Sequence, residues 1–240
     1  MDTTGYVTLS RQIALQRQMT VLAGNVANAS TTGYKATRLW SAELRLRAGA
    51  PGTLAFTGIA GEARDPSMGP LLATGERFDL AISGPGLFAV MTPQGERYTR
   101  AGHFGLDAGG NLVTPQGHQL LDEAGAPVVI RPEDGAVEVT ADGTVMGRGG
   151  PIARLRMVEP GDRSVLREEG AGLYASEQAP PPLERRRVVQ GSLESSNVQP
   201  IMEMTRLMET LRAFEATQRL VDTHHGLARS VIERAAGRES

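Results

Sequence analysis

From Met204 to Ile232 the chain carries a sustained alternation of three- and four-residue steps. The stations are Met204, Leu207, Leu211, Phe214, Gln218, Val221, His225, Ala228 and Ile232, and seven of these nine are apolar. That period holds one stripe on one side of a helix and is the period of a coiled coil. A helix over 201–234 would run about 50 Å at ~1.5 Å per residue, well beyond the usual length in a globular domain. Asn197 and Pro200 suit its start, Asn as a cap and Pro inside the first turn. A stripe this long demands a surface to cover it.

The other end of the chain offers one. Residues 3–29 contain neither Pro nor an acidic side chain. Leu15, Met19, Leu22, Val26 and Ala29 share one helical face. Tyr6, Leu9 and Ile13 keep the same spacing on another face, so the stripe breaks between Ile13 and Leu15. Asn28, Ser30, Thr31, Thr32 and Gly33 compete for backbone hydrogen bonds and end the helix. Pattern alone leaves two arrangements open. Either the two chain ends pack together or against neighbouring molecules, or the helix pair lies on the middle of its own chain.

That middle is turn-rich. Residues 45–76 hold Gly, Ala and Pro without clear periodicity and read as a connector with room for one short strand or hairpin. From 77 to 190, short apolar runs such as Leu87-Phe88-Ala89-Val90-Met91 and Val128-Val129-Ile130 alternate with turns such as Pro93-Gln94-Gly95 and Ala108-Gly109-Gly110-Asn111. Many short strands with Gly-centred turns predict an all-β, sandwich- or barrel-like domain. The expected fold is therefore α+β. An N-terminal assembly helix and turn occupy 1–44, a connector 45–76, a β domain 77–190 and a C-terminal heptad helix 191–240.

Composition narrows the chemistry. A net charge of −2 supplies no field for nucleic acid or an anionic membrane surface. No cysteine is present, which excludes disulfides and thiolate metal sites. The first residues have no basic n-region and no apolar h-region, so no cleaved signal peptide is expected. No apolar run approaches the roughly 20 residues of a membrane helix.

A search for catalytic groups also comes up short. Gly84-Pro85-Gly86 lacks the third Gly of a dinucleotide loop, and Ser83 is not in a nucleophile elbow. The four histidines are 103, 118, 224 and 225. Adjacent His224 and His225 diverge by about 100° on a helix and make a poor metal pair. Asp107 to Asn111 lacks the later ligands of a calcium loop and reads as a β-turn. Arg185-Arg186-Arg187 reads as a solvated strand edge in preference to a small basic patch. The expectation is a non-enzyme without cofactor, metal or small-molecule substrate.

Three segments together resemble the flagellar axial proteins, which form rod and hook. The first is Leu22-Ala23-Gly24-Asn25-Val26-Ala27-Asn28-Ala29-Ser30-Thr31-Thr32-Gly33-Tyr34-Lys35. The second holds Phe78-Asp79-Leu80-Ala81-Ile82-Ser83-Gly84-Pro85-Gly86-Leu87-Phe88, then Tyr98-Thr99-Arg100-Ala101-Gly102-His103-Phe104 and Gly110-Asn111-Leu112-Val113-Thr114. The third is Gly191-Ser192-Leu193-Glu194-Ser195-Ser196-Asn197-Val198, followed by the heptad helix with Arg212-Ala213-Phe214-Glu215. The short connector before Phe78 and the modest length point to the proximal-rod members of that family. A distal rod protein is the alternative within the family. An adhesin-like β module with a coiled-coil tail is the alternative outside it.

The resemblance implies a structural subunit of the basal-body rod in the periplasmic space, exported through the flagellar type III channel. Its partners would be copies of itself, other rod proteins and the export apparatus. Paired terminal helices would form an inner, coiled-coil-like layer with the β domain outside. The implied assembly interface comprises Leu15, Met19, Leu22, Asn25, Val26, Asn28, Thr32, Gly33, Asn197, Met204, Leu207, Leu211, Phe214 and Val221. Asn25 and Asn28 would bond backbone and fix the turn. Gly33 would take a positive φ, and Asn197 would cap the C-terminal helix. Thr99 and Arg100 are read as part of a strand with an exposed Arg100 whose stem covers apolar surface, the alternative being an intersubunit hydrogen bond.

Overall fold

The computed structural model describes residues 3–47, 53–159 and 166–236. Met1 and Asp2, and the side chains of Tyr6, His224, His225, Ala228 and Ile232, lie outside the described residues. The chain divides into two compact units, one of residues 1–27, 36–65 and 198–240, the other of residues 28–35 and 66–197.

The first unit holds both long helices and a hairpin. Helix α1 spans Thr3–Ala27 and ends where Asn28 and the Thr-Thr-Gly run begin. Strands β1 (Thr37–Arg47) and β2 (Thr53–Arg64) pair antiparallel, with a register shift between Trp40 and Ser41. Helix α2 spans Pro200–Ala236, 37 residues, or about 55 Å. The helices run antiparallel. Gln12 bonds Gln218 across the pair at 2.6 Å, while Asn25 reaches Glu203 at the other end. The long hairpin corrects the expected connector, which had room for one short strand or hairpin. The alternation is clear in Ala42-Glu43-Leu44-Arg45-Leu46-Arg47, but Gly58 and Gly61 interrupt it in the second strand, where the backbone ladder carries the pairing.

The second unit carries the short strands. These are β3 (Leu71–Ala73), β4 (Leu80–Ile82), β5 (Leu87–Thr92), β6 (Gly95–Thr99), β7 (Gly105–Leu106), β8 (Leu112–Val113) and β9 (Gln119–Leu120). They continue as β10 (Glu138–Val139), β11 (Thr144–Gly147), β12 (Gly150–Arg154), β13 (Met157–Val158), β14 (Leu166–Gly170), β15 (Leu173–Ser176), β16 (Val188–Gln190) and β17 (Ser192–Glu194). The main sheet is ordered β14-β15-β6-β5-β9-β8-β7, with β13 also on β5. β10-β11-β12 form a second sheet, and β16-β4 and β17-β3 are two-stranded ribbons. Every pairing in these sheets is antiparallel. The α+β reading therefore holds, and no sheet closes into a barrel among the described residues.

One apolar core organises this unit. Leu80, Ile82, Phe88, Val90, Leu112, Leu120, Val128 and Leu155 are all buried in it. Phe88 and Phe104 meet edge to face, with centroids 5.4 Å apart, a favoured aromatic geometry.

Candidate functional site

Two buried carboxylates hold the signature segments in place, one in each unit. Glu203 lies in the first turn of α2 and is buried. Its Oε2 accepts from the Asn25 amide at 3.0 Å. Its Oε1 accepts from Arg38 and from Arg206, each at 2.8 Å. Asn25, also fully buried, uses its remaining capacity on the backbone of Thr37. The amide nitrogen donates to the Thr37 carbonyl at 3.0 Å, and the Thr37 N–H donates back to the amide oxygen at 2.8 Å. One carboxamide thus joins the end of α1, the start of β1 and the start of α2.

Burial alone would push the Glu203 carboxyl up. The Asn25 hydrogen bond and the two guanidinium groups outweigh it and hold it below its ordinary value of 4.5. A group with a depressed folded pKa stabilises the fold above its unfolded pKa and loses that effect as pH falls through the folded value. The stability gap between the native chain and Glu203→Gln is therefore expected to be constant above about pH 5.5 and to shrink through the acid range below 4.5. Urea unfolding at a series of pH values measures it. A gap that widens on acidification would contradict the assignment.

The second carboxylate is Glu194, at the end of β17. Its Oε2 accepts from Arg100 Nε at 2.5 Å. Its Oε1 accepts from Lys35 Nζ at 2.5 Å and from the Gly69 N–H at 3.0 Å. Arg100 spends its other donors on the carbonyls of Gly86 and Ile82, both at 2.6 Å. Only 5% of Arg100 is exposed, so the reading of an exposed strand arginine is corrected. The guanidinium is a buried ion partner whose donors are satisfied by a carboxylate and two strand-end carbonyls. Lys35 also bonds the Ser67 carbonyl at 2.7 Å.

Gly33 sits against this cluster. Its φ is +71°, as the turn requires, and its N–H donates to the Glu194 carbonyl at 2.7 Å. A Cβ there would stand 2.7 Å from the Arg100 carbonyl carbon and 2.8 Å from the Ala101 nitrogen. Thr31 donates to the Asn28 side-chain oxygen at 3.2 Å, closing the turn after α1. Thr32 is half-buried.

The remaining interface residues divide by face. On α1, Leu22 is buried and Leu15, Met19 and Val26 are half-buried, whereas Leu9 and Ile13 are exposed. On α2, Leu207, Phe214 and Val221 are half-buried. Met204 and Leu211 are exposed, and the buried positions are Glu203, Thr210 and Thr217. The helix presents to α1 a phase one residue away from the apolar one. This is physically possible because Thr210 and Thr217 donate to the carbonyls of Arg206 and Ala213, at 2.7 and 2.8 Å, and so bury satisfied hydroxyls.

Asn197 is not the cap. α2 starts at Pro200, and the Glu203 N–H bonds the Gln199 carbonyl at 3.0 Å. The Asn197 amide instead donates to the Ser67 carbonyl and hydroxyl, at 3.0 and 3.1 Å. Of the Arg185–Arg187 run, Arg185 lies in a bend, Arg186 pairs with Glu123, and the Arg187 carbonyl accepts from the Ser83 N–H just before β16. Asp107 accepts from Gly109 and Asn111 in its own loop, and these bonds hold its carboxyl low, as a turn requires.

The segments that meet at these carboxylates are also the ones that match known proteins. Residues 6–35 match "Flagella basal body rod protein", residues 81–147 match "Flagellar hook protein FlgE/F/G D1 domain", and residues 189–234 match "Flagellar basal body rod FlgEFG protein C-terminal". The flagellar basal-body rod protein FlgF of Caulobacter vibrioides is 39% identical across 98% of both chains. The chain belongs to the flagellar basal-body rod protein family. FlgF of Rhizobium meliloti is 34% identical across 99% of each chain. FlgG of Buchnera aphidicola is 31% identical across 88% of this chain and 91% of its own. As a rod-family member the chain is a structural protein of the flagellar basal body, not an enzyme. In this rod protein the two buried carboxylates serve architecture: Glu203 ties in Asn25, and Glu194 ties in Lys35.

Glu203 and Arg38 are the site residues that sequence reasoning missed, and Lys35, Arg100 and Glu194 stood in the signature segments without a buried ionic role. Hydropathy gives them no signal, because an ion-paired side chain is as polar in sequence when buried as when exposed.

Proposed function

We propose that the chain is a FlgF-like subunit of the proximal rod, joined to copies of itself and to other rod proteins through its terminal helices. In this reading the helices form the coiled-coil-like inner layer of a tube that transmits torque and encloses part of the export path. The chain reaches its site through the flagellar type III apparatus. The observation that carries the reading is the antiparallel α1–α2 pair, locked at Asn25–Glu203, which leaves apolar side chains of both helices in solvent. A monomer gains nothing from such exposure, whereas a polymer covers it. The similarity to FlgG supports a distal-rod role less, since the identity is lower and covers less of the chain.

The test is incorporation. Full-length chain should purify with basal bodies, and Leu211→Asp should leave the β unit folded by circular dichroism yet reduce incorporation at least tenfold. Cells lacking the chain should make neither hook nor filament. Intact hooks in such cells would refute the assignment.

A further inference from the structure

Residues 187–197 run back across the β unit and complete parts of it made much earlier in the chain. β16 is the ladder partner of β4, and β17 is that of β3. Among the described residues neither β3 nor β4 has another strand partner. β4 is buried throughout, and Val188 lies in the same apolar core. The Arg187 carbonyl accepts from the Ser83 N–H at 2.7 Å, and the Val188 N–H donates to the Ala141 carbonyl at 2.8 Å. The Gln190 side chain accepts from the Val139 N–H at 3.0 Å and donates to the Arg77 carbonyl at 2.8 Å. Glu194 neutralises the buried Arg100, 94 residues earlier in the chain. The N-terminal turn leans on the same segment. Gly33 donates to the Glu194 carbonyl at 2.7 Å, and the Asn197 N–H donates to the Tyr34 carbonyl at 3.3 Å. The compact unit accordingly takes in residues 28–35.

We propose that residues 187–197 are a closing strap: the β unit packs only when they are seated, and the turn at 28–35 is ordered in that same step. Without the strap, the N–H groups of Gly33, Ser83 and Val139 lose their acceptors, one side of β4 lies bare, and Arg100 keeps its charge without a carboxylate. A buried donor without a partner, and above all a buried charge, is strongly destabilising. The core therefore has no low-energy closed form until Glu194 arrives. The N-terminal turn is made first and set last. A chain whose strap has not yet been delivered stays open, a form that an export channel can pass. That consequence rests on the export reading above, whereas the closure does not.

Native-state hydrogen exchange of the full-length chain, followed residue by residue in low urea, tests the closure. Gly33, Ser83, Val139 and Ser195 report the strap. Leu112, Leu121 and Val128 report the core away from it, since they donate to the carbonyls of Val128, Ala89 and Leu120. The expected result is a single opening step with the same urea slope for both sets. Glu194→Gln should then speed exchange in both sets by the same factor, roughly a hundredfold. Gln190→Ala should speed both by about tenfold, and it carries the comparison if Glu194→Gln does not fold. Strap amides that exchange through an easier opening while Leu112, Leu121 and Val128 keep their protection, in the native chain or in either variant, overturn the proposal, because the core then stands without the strap. Neither outcome depends on the rod assignment, which the incorporation test decides separately.

Discussion

Glu194→Ala is expected to lower the stability of the unit containing residues 66–197 by about 3–5 kcal/mol. The carboxylate is nearly inaccessible and faces Arg100, Lys35 and the Gly69 N–H. Removing it leaves the buried guanidinium with the carbonyls of Gly86 and Ile82 and strips the carboxylate from a largely buried ammonium. Neither can recover full hydration without opening the strand ends around it. The cost therefore comes chiefly from the charges left behind, not from the attraction lost. Urea unfolding followed by circular dichroism measures it. The double variant Glu194→Ala with Arg100→Ala should be markedly less destabilised than the sum of the single changes. A loss below about 1 kcal/mol for Glu194→Ala, the size of a surface pair, would show that water reaches the cluster and that the clamp is not what orders the signature.

Gly33→Val is the second large effect, at the same locus. The residue adopts φ +71°, which a β-branched side chain disfavours by about 1–3 kcal/mol. Its Cβ would also stand 2.7–2.9 Å from three backbone atoms of Arg100 and Ala101. Those atoms belong to the backbone that aims the buried guanidinium, so relief of the clash moves Arg100 away from Glu194. Overpacking of this kind adds about 1–3 kcal/mol more, and the clamp weakens on top of it. Gly33→Ala should come close to the valine variant, since the first β carbon already meets the obstruction. Gly24→Ala is the control. Nothing lies within 4 Å of its β carbon, and alanine at a helical position should stabilise by about 0.5–1 kcal/mol. Thermal unfolding of the three variants, and their recovery in basal bodies, checks the ordering. Normal stability in Gly33→Val would mean that the turn does not approach Arg100 in solution.

The sequence by itself determined the two terminal helices, the end of the first near Asn28, the positive φ at Gly33 and the β character of the middle. Each rests on local rules: apolar periodicity, competition for backbone hydrogen bonds, and the steric freedom of glycine. The length of the hairpin at 37–64 was not legible, because its first strand starts straight after the signature turn and Gly58 and Gly61 interrupt the alternation of its second. The phase of α2 was not legible either. The seams through Met204 and through Glu203 share Leu207, Phe214 and Val221 and differ by a single residue step. Hydropathy chooses the apolar seam, but the fold buries the polar one because Asn25, Arg38 and two backbone carbonyls are there to satisfy it. Which polar groups can be buried depends on partners far away in the chain, 178 residues for Asn25 and Glu203. Only the tertiary structure brings such partners within hydrogen-bonding distance.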